Sequence, residues 1–366
     1  MSEDNDPHQL APARGLSHCS SVALIVVEGT KPILILGAGW FGCHCAMTLR
    51  KLGLPFRIFD RTGEFFQGAS SKNQNRLHLG FHYPRSYHTR QECALGYTEF
   101  VSQYGFLTEA FPNNIYAVAK DSLIDYTTYL HIFEFEAVPY KVVGYPRVPL
   151  SLERKCFQGD FFVVEERFIN PRKAAHYFNE ELKASLVSDP SGNYAFTIDC
   201  TYGQKDPPAG GYFELCLTLV YKATFDERCA ITVMDGNYFS IYPYCTDENL
   251  YTLTHVAYTP LFSAKHIKQI RMFADSFSND DLAKRRELME RSVEGYVPNL
   301  KSALTYHDYF LSVKCKWEGG DADRSLKYSF DENRKVLSFC CGKITGIFAM
   351  QHTLESLLPN LVGHMA

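Results

Sequence analysis

Tryptophan is nearly absent, with two residues in 366, and there is no surplus of positive charge: 37 Lys and Arg stand against 41 Asp and Glu, for a formal charge of -4. Without a basic field, binding to nucleic acid or to an anionic membrane surface is not expected. Long apolar runs are also missing. The longest near the start, Val22 to Val27, is far shorter than the roughly 20 residues a spanning helix needs, so no transmembrane segment is expected. The opening residues Ser2-Glu3-Asp4-Asn5-Asp6 are acidic, which argues against a secretory or transit peptide. No CxxC pair occurs among the 12 cysteines; only Cys340 and Cys341 are adjacent, and Cys43 and Cys45 point to different faces of an expected helix. That is not a zinc pattern, so no metal is expected, and reduced, mostly buried thiols in a cytoplasmic protein are the simplest reading.

What is present reads as an α/β protein. Residues 1–30 look like a flexible tail. Pro32-Ile33-Leu34-Ile35-Leu36 is short, apolar and bounded by Pro and Gly, as a buried parallel strand should be. A helix is expected from Cys43 to Leu52, and a second strand over Phe56-Arg57-Ile58-Phe59. A polar loop follows from Gly68 to His88, then a helix over 91–104. Residues 113–165 read as short strands and turns, including the aromatic block Tyr126 to Tyr140. Asn170-Pro171 starts a helix that runs through Leu182. A hairpin with a polar insert over 203–211 is expected next, then a strand over 215–224. Residues 231–258 read as antiparallel strands, 264–273 and 280–292 as helices, 335–341 as a strand, and the last helix runs to about Leu358.

Gly37-Ala38-Gly39-Trp40-Phe41-Gly42 lies between that first strand and helix. The GxGxxG pattern alone is weak. Here a strand precedes it, a helix follows it, and Asp60 closes the second strand at about the 20-residue spacing of a dinucleotide site. Gly37 permits the tight turn, Gly39 lets a diphosphate approach the backbone, and Gly42 allows close helix–strand packing. The helix N-terminus offers free N–H groups and a positive dipole end to the phosphates. Asp60 can accept from ribose hydroxyls. The long polar loop after Asp60, in place of another regular βα unit, leans toward FAD over a nicotinamide cofactor.

The loop Ser70-Ser71-Lys72-Asn73-Gln74-Asn75-Arg76-Leu77-His78-Leu79-Gly80-Phe81-His82-Tyr83 resembles a flavin-binding stretch of the D-amino-acid-oxidase-like superfamily, and most nearly that of L-2-hydroxyglutarate dehydrogenases. The matching positions are Asn75, His78, Gly80 and Tyr83, continued by Pro84, Ser86, Cys93 and Gly96. Cys341-Gly342-Lys343-Ile344-Thr345-Gly346 resembles the glycine turn beside the flavin of glycerol-3-phosphate dehydrogenases, and Asn170-Pro171-Arg172 resembles a helix start common in the superfamily. Departures occur at Ala223-Thr224-Phe225, at Cys341 and at Arg76, where the superfamily usually has glycine.

This resemblance implies a Rossmann-type FAD-binding domain, of the glutathione-reductase-like and D-amino-acid-oxidase type, with an inserted antiparallel-sheet substrate domain. Residues 31–90, 155–230 and 331–366 are expected to form the FAD-binding domain, and 91–154 and 231–330 the substrate cap. FAD contacts are expected from Gly37 through Gly42, from Asp60, Arg61, Ser70, Ser71, Asn75, Arg76 and Leu77, from Thr224, and from Gly342, Lys343, Ile344 and Thr345. The last three sit at a helix start, suited to the anionic edge of a reduced flavin.

Flavin oxidation of an alcohol or amine needs a base, a donor at the flavin's anionic edge, and a held substrate. His78 and His82 are the base candidates, since imidazole titrates near working pH. Arg76 and Arg85 are candidates to clamp a substrate carboxylate or phosphate. Tyr83, Tyr242, Tyr244 and His255 are candidates to line the substrate face, with core packing the competing account. Lys314 and Lys316 share a strand face, read as solvated. The expected partner is a small polar substrate; the electron acceptor, oxygen or a quinone, is open. Two other readings stand: a flavin enzyme with no net oxidation, such as a sugar mutase, and a non-catalytic nucleotide-binding protein.

Overall fold

The structure, a computed structural model, describes residues 31–317 and 325–362. The expected tail lies outside them. The first strand, Ile33–Leu36, is entirely buried. It pairs in parallel with Phe56–Phe59 on one side and Thr197–Asp199 on the other. Val336–Cys340 and Leu186–Val187 extend this sheet in parallel, and Lys327–Asp331 closes one edge antiparallel, giving six strands. Helix Trp40–Lys51 packs on the sheet with Gly346–Val362, Pro171–Leu182 and Tyr87–Tyr104 around a single core that includes Trp40, Phe100, Tyr104, Phe178 and Phe348.

A second, nine-stranded sheet is mostly antiparallel. Its spine is the 13-residue strand Gly211–Ala223. Leu304–Trp317 runs along one edge of that strand, while Leu250–His255 and Pro260–Ala264 share the other. Alternation along these strands sorts the side chains. Leu217, Leu219, Ile241, Leu253 and Leu311 turn to one face, where Met289 and Val293 of helix Asn279–Glu294 cover them. That helix starts at a capping box of Ser278 and Asp281. Thr218, Ser240, Thr254 and Ser312 turn to the other face and toward a cleft. A three-stranded sheet of Arg76–Leu77, Arg167–Ile169 and Thr108–Glu109 joins the two halves.

Four expectations are corrected. The segment 211–223 belongs to the large sheet, not to the nucleotide unit, and it forms no hairpin with Thr197–Asp199, whose parallel neighbours hold it in the other sheet. Phe161–Val164, placed with the nucleotide unit, also joins the large sheet. Helix Tyr87–Tyr104, expected in the cap from residue 91, packs Phe100 and Tyr104 into the nucleotide core. The aromatic block is a helix, Tyr126–Glu136, not strands. Asp125 caps its start by accepting from the Thr128 N–H, and Tyr129 and Phe133, four apart, bury one face against Phe81 and Phe162. No helix among the described residues is long and apolar enough to cross a membrane.

His44 ties two helices of the nucleotide core together. Its Nε2–H donates to Gln351 Oε1 at 2.9 Å and its Nδ1 accepts from the Tyr104 hydroxyl at 2.8 Å. The bond accepted from Tyr104 requires the neutral ring. Burial pushes its pKa from 6.5 down to about 4, against the opposing pull of Gln351. The unfolded chain therefore binds more protons between those values, so His44 favours folding fully above pH 6.5 and that contribution is lost as pH falls toward 4. We expect it to amount to about 3 kcal/mol over that window. Urea unfolding at a series of pH values should show a falling midpoint below 6.5, with a shallower fall in His44→Gln; an identical slope in the variant would exclude His44 as the source.

Candidate functional site

A cleft of about 1650 Å³ is lined from both halves of the molecule. At one end lies the turn after the first strand. Gly37, at φ +98°, bends the chain so that the following helix begins over the sheet's end. A Cβ on Gly42 would lie 1.8 Å from the Gly37 carbonyl oxygen, so only glycine allows this approach. Helix Trp40–Lys51 has no side-chain cap at Gly39 and no acidic residue in its first turn, which leaves its positive end facing the cleft. Ser70 reaches over from the polar loop and accepts from the Trp40 N–H at 2.9 Å. Asp60 is oriented beside this turn by the Ala38 N–H at 2.9 Å and the Thr62 hydroxyl at 2.7 Å.

Ala38 and Leu77 are buried in the nucleotide core and do not line the cleft; Trp40 lines it while its ring packs on Phe66 and Phe178. Phe41, Arg61, Ser70 and Asn75 line it as well. Ser71 does not; its hydroxyl donates to the Phe66 carbonyl and braces the loop from within.

The cleft continues to the C-terminal turn, where Cys341, Gly342, Lys343, Ile344 and Thr345 form one wall. The Lys343 ammonium is held by Glu92 at 2.8 Å and contacts the Thr89 carbonyl at 3.4 Å, with the Tyr83 ring below it at 5.5 Å. The lysine lines the cleft with its charge paired to Glu92. Thr345 fits closely against Gly96, where a Cβ would meet it at 2.4 Å.

The base candidates share the cleft that both turns line. His78 and His82 both line the cleft, with ring centroids 5.5 Å apart and Tyr83 edge-on to each. Behind His78 lies Glu166, a fully buried carboxylate 3.5 Å from Nδ1, a contact that is an ion pair only when the ring is protonated and in which Nδ1 makes no hydrogen bond. Burial alone would push the Glu166 carboxyl up, but His78, then Tyr116 and Arg76, hold it below the usual carboxylate range.

Several expected site residues are engaged elsewhere. Arg76 is a buried structural cation: it bonds Thr232 at 2.6 Å and Ser240, and its guanidinium stacks 4.0 Å from the Tyr242 ring. That ring is itself fully buried, and its hydroxyl donates to the Arg167 carbonyl. Arg85 pairs with Asp235 at the cleft mouth. Tyr244 leans on Phe310, away from the cleft. Thr224 also lies away from it, donating to carbonyls of 302 and 303. His255 reaches the cleft edge, but Nε2 bonds Ser292 and Nδ1 accepts from the Ala257 N–H. Burial pushes its pKa down to about 4, so it stays neutral. In the other direction, Lys314 and Lys316, read as solvated, line the cleft, Lys316 at 2.7 Å from Glu214.

Sequence reasoning missed Glu166. It is far from His78 along the chain, and Glu165-Glu166 reads as an ordinary polar end to the strand Phe161–Val164. Among the described residues, no cluster of three or more His, Cys, Asp or Glu could hold a metal ion.

The residues present fit FAD: an open helix N-terminus at a glycine turn, an oriented acid one strand away, and a continuous cleft to a second turn. Fold and site together are those of an FAD-dependent oxidoreductase. Glycine oxidase from Geobacillus kaustophilus superposes with a TM-score of 0.61 at 12% identity, covering 92% of this chain and 95% of that one. The FAD-bound L-α-glycerophosphate oxidase from Mycoplasma pneumoniae gives 0.63 at 12% identity, covering 90% and 95%. No protein-family model matches the sequence. The FAD-dependent monooxygenase FPY4 of Fusarium mangiferae is 32% identical over 350 residues, 89% of this chain and 90% of the relative, and the chain belongs to its family. The FAD-dependent monooxygenase kojA of Aspergillus flavus is 25% identical over 369 residues, 89% of this chain and 85% of the relative.

Gly39 gives a direct check on the cofactor end. A Cβ there would already lie 2.5 Å from the Ser70 hydroxyl. Gly39→Trp should yield soluble protein without yellow colour, or insoluble protein; a normal flavin spectrum at full stoichiometry would remove the diphosphate site from this turn.

Proposed function

We propose that the chain oxidises a CH–OH or CH–NH group of a small polar substrate by hydride transfer to flavin N5, with His78 as the base. The observation that carries this is the position of His78: on the wall of the cleft that both turns line, backed by a buried carboxylate. Bound FAD supplies the hydride acceptor. The protein supplies the rest. With FAD bound, the N-terminus of helix Trp40–Lys51 and Ser70 would hold the diphosphate, Asp60 and Arg61 the ribose, and Asn75 with Gly342, Ile344 and Thr345 the ring. His78 Nε2 takes the substrate's O–H or N–H proton, and the neighbouring His82 and Tyr83 exclude water and pass the proton outward. The hydroxyls of Thr218, Ser240, Thr254 and Ser312 present a polar floor to the substrate. A carboxylate or phosphate on it is met by Lys314, and by Arg85 once that side chain leaves Asp235.

A second reading, oxygen insertion, is favoured by the names of the two relatives. The two differ in what reduces the flavin. Under hydride transfer, anaerobic addition of the right hydroxy or amino compound bleaches the flavin band with no other reductant. Under oxygen insertion, bleaching requires a separate electron donor such as a nicotinamide. A screen of small hydroxy and amino acids, with and without that donor, separates them.

His78→Ala should retain FAD and slow flavin reduction by roughly 10²–10⁴-fold. Stopped-flow absorbance measures this; a reduction rate equal to the wild type's takes His78 out of the base role and leaves His82 to be tested the same way.

A further inference from the structure

His78 does not stand alone. Glu166 follows the strand Phe161–Val164, and its carboxylate is completely enclosed. One oxygen, Oε1, accepts from the Leu79 N–H at 2.8 Å and lies 3.5 Å from His78 Nδ1. The other, Oε2, accepts from the Tyr116 hydroxyl at 2.7 Å. An isolated buried carboxylate is costly; this one is bonded by a main-chain N–H and a phenol, with the His78 imidazole alongside at 3.5 Å. The Leu79 contact matters most for geometry, because it fixes the backbone one residue after His78. With Nδ1 facing Glu166, the ring must present Nε2 to the cleft.

We propose that Glu166 is a positioning residue for His78: it selects the tautomer with the proton on Nδ1, leaves the Nε2 lone pair facing the substrate, and stabilises the imidazolium formed when that nitrogen takes a proton. The proposal rests on the reading of His78 as base. No bond other than the proton's changes hands at these residues. The proton leaves the substrate heteroatom for Nε2, and the Nδ1 proton stays on the ring, donated toward Glu166, which remains ionised.

The charges around the pair favour this arrangement. Arg76 approaches from the strand Arg76–Leu77, contacts the Tyr116 hydroxyl at 3.4 Å, and adds positive charge near Glu166. From helix Tyr87–Tyr104, Cys93 and Tyr97 feel the Glu166 charge, and burial pushes Cys93 up to about 12, so it adds no competing negative charge. Tyr129 and Tyr242, facing from the aromatic helix and the large sheet, are likewise raised by burial and stay neutral. On the cleft side His78 faces His82 and Tyr83, and Lys343 lies beyond the Tyr83 ring. Glu166 is thus the one carboxylate among the described residues in contact with His78.

The test uses the flavin-bound protein labelled with ¹⁵N-histidine, with His78→Gln assigning the His78 signals. Long-range ¹H–¹⁵N spectra should show the Nδ1–H tautomer for His78 in the wild type. In Glu166→Gln its titration midpoint should fall by about one to two pH units. The acid limb of the flavin-reduction profile should move to lower pH with it, and Glu166→Asp should recover part of the shift. A wild-type Nε2–H tautomer overturns the proposal even if Glu166→Gln does not fold. So does an unchanged His78 midpoint in a folded variant. Because the NMR midpoint is read without turnover, it stands apart from the base assignment, which fails separately if His78→Ala reduces its flavin at the wild-type rate.

Discussion

The contact between the Gly37 carbonyl and the Gly42 Cα is the constraint from which the architecture follows. It lets helix Trp40–Lys51 start directly above the end of the central strand, so a dipole end and a sheet edge meet at one point. The polar loop then has somewhere to return: Ser70 bonds the first N–H of that helix. Loop residues 75–83 are carried on from there to the large sheet, where Arg76 is locked between Thr232, Tyr116 and the Tyr242 ring. Shifting the helix outward would break the chain of contacts that ends at His78.

The large sheet contributes by its alternation. Its apolar face needs helix Asn279–Glu294 to cover it, and that requirement leaves the opposite, hydroxyl-bearing face turned toward the nucleotide half. The cleft is therefore a product of two hydrophobic demands satisfied back to back, not of any single loop. Lys314 and Lys316 show this. They sit on the cleft face with Glu214, the strand partner of Lys314, and Glu214 is kept below the usual carboxylate range by Lys316 although burial opposes it.

How much of this was legible beforehand tracks the range of the interaction. The glycine turn, Asp60, the Asn170-capped helix and the C-terminal turn are local patterns, and each was readable from a few adjacent residues. His78 was legible for the same reason. What failed was long-range partnership. Arg76 and Arg85 look like free anion clamps in sequence, but both, while lining the cleft, also have protein partners more than a hundred residues away, Thr232 and Ser240 for Arg76 and Asp235 for Arg85. Gly211–Ala223 has the apolar content of a buried strand whichever sheet takes it, so only its pairing with 304–317 decides. Tyr126–Glu136 was misread because aromatic residues favour strands on average, while an Asp125 cap and a four-residue spacing of Tyr129 and Phe133 outweigh that preference.

Glu166 shows the same limit at the site itself, and it bears on how one fold serves different oxidations. The FAD-binding half has a fold that solved structures at about 12% identity share with this chain. The part of the cleft where the His78–Glu166 pair, Tyr83 and the sheet's hydroxyls lie is built by long-range contacts instead. A buried carboxylate is retained there at a desolvation cost that a purely structural role could avoid with an amide, since an amide could also bond Leu79 and Tyr116. The carboxylate's distinctive property is its charge, and two groups beside it answer that charge, the His78 imidazole on the cleft side and the buried Arg76.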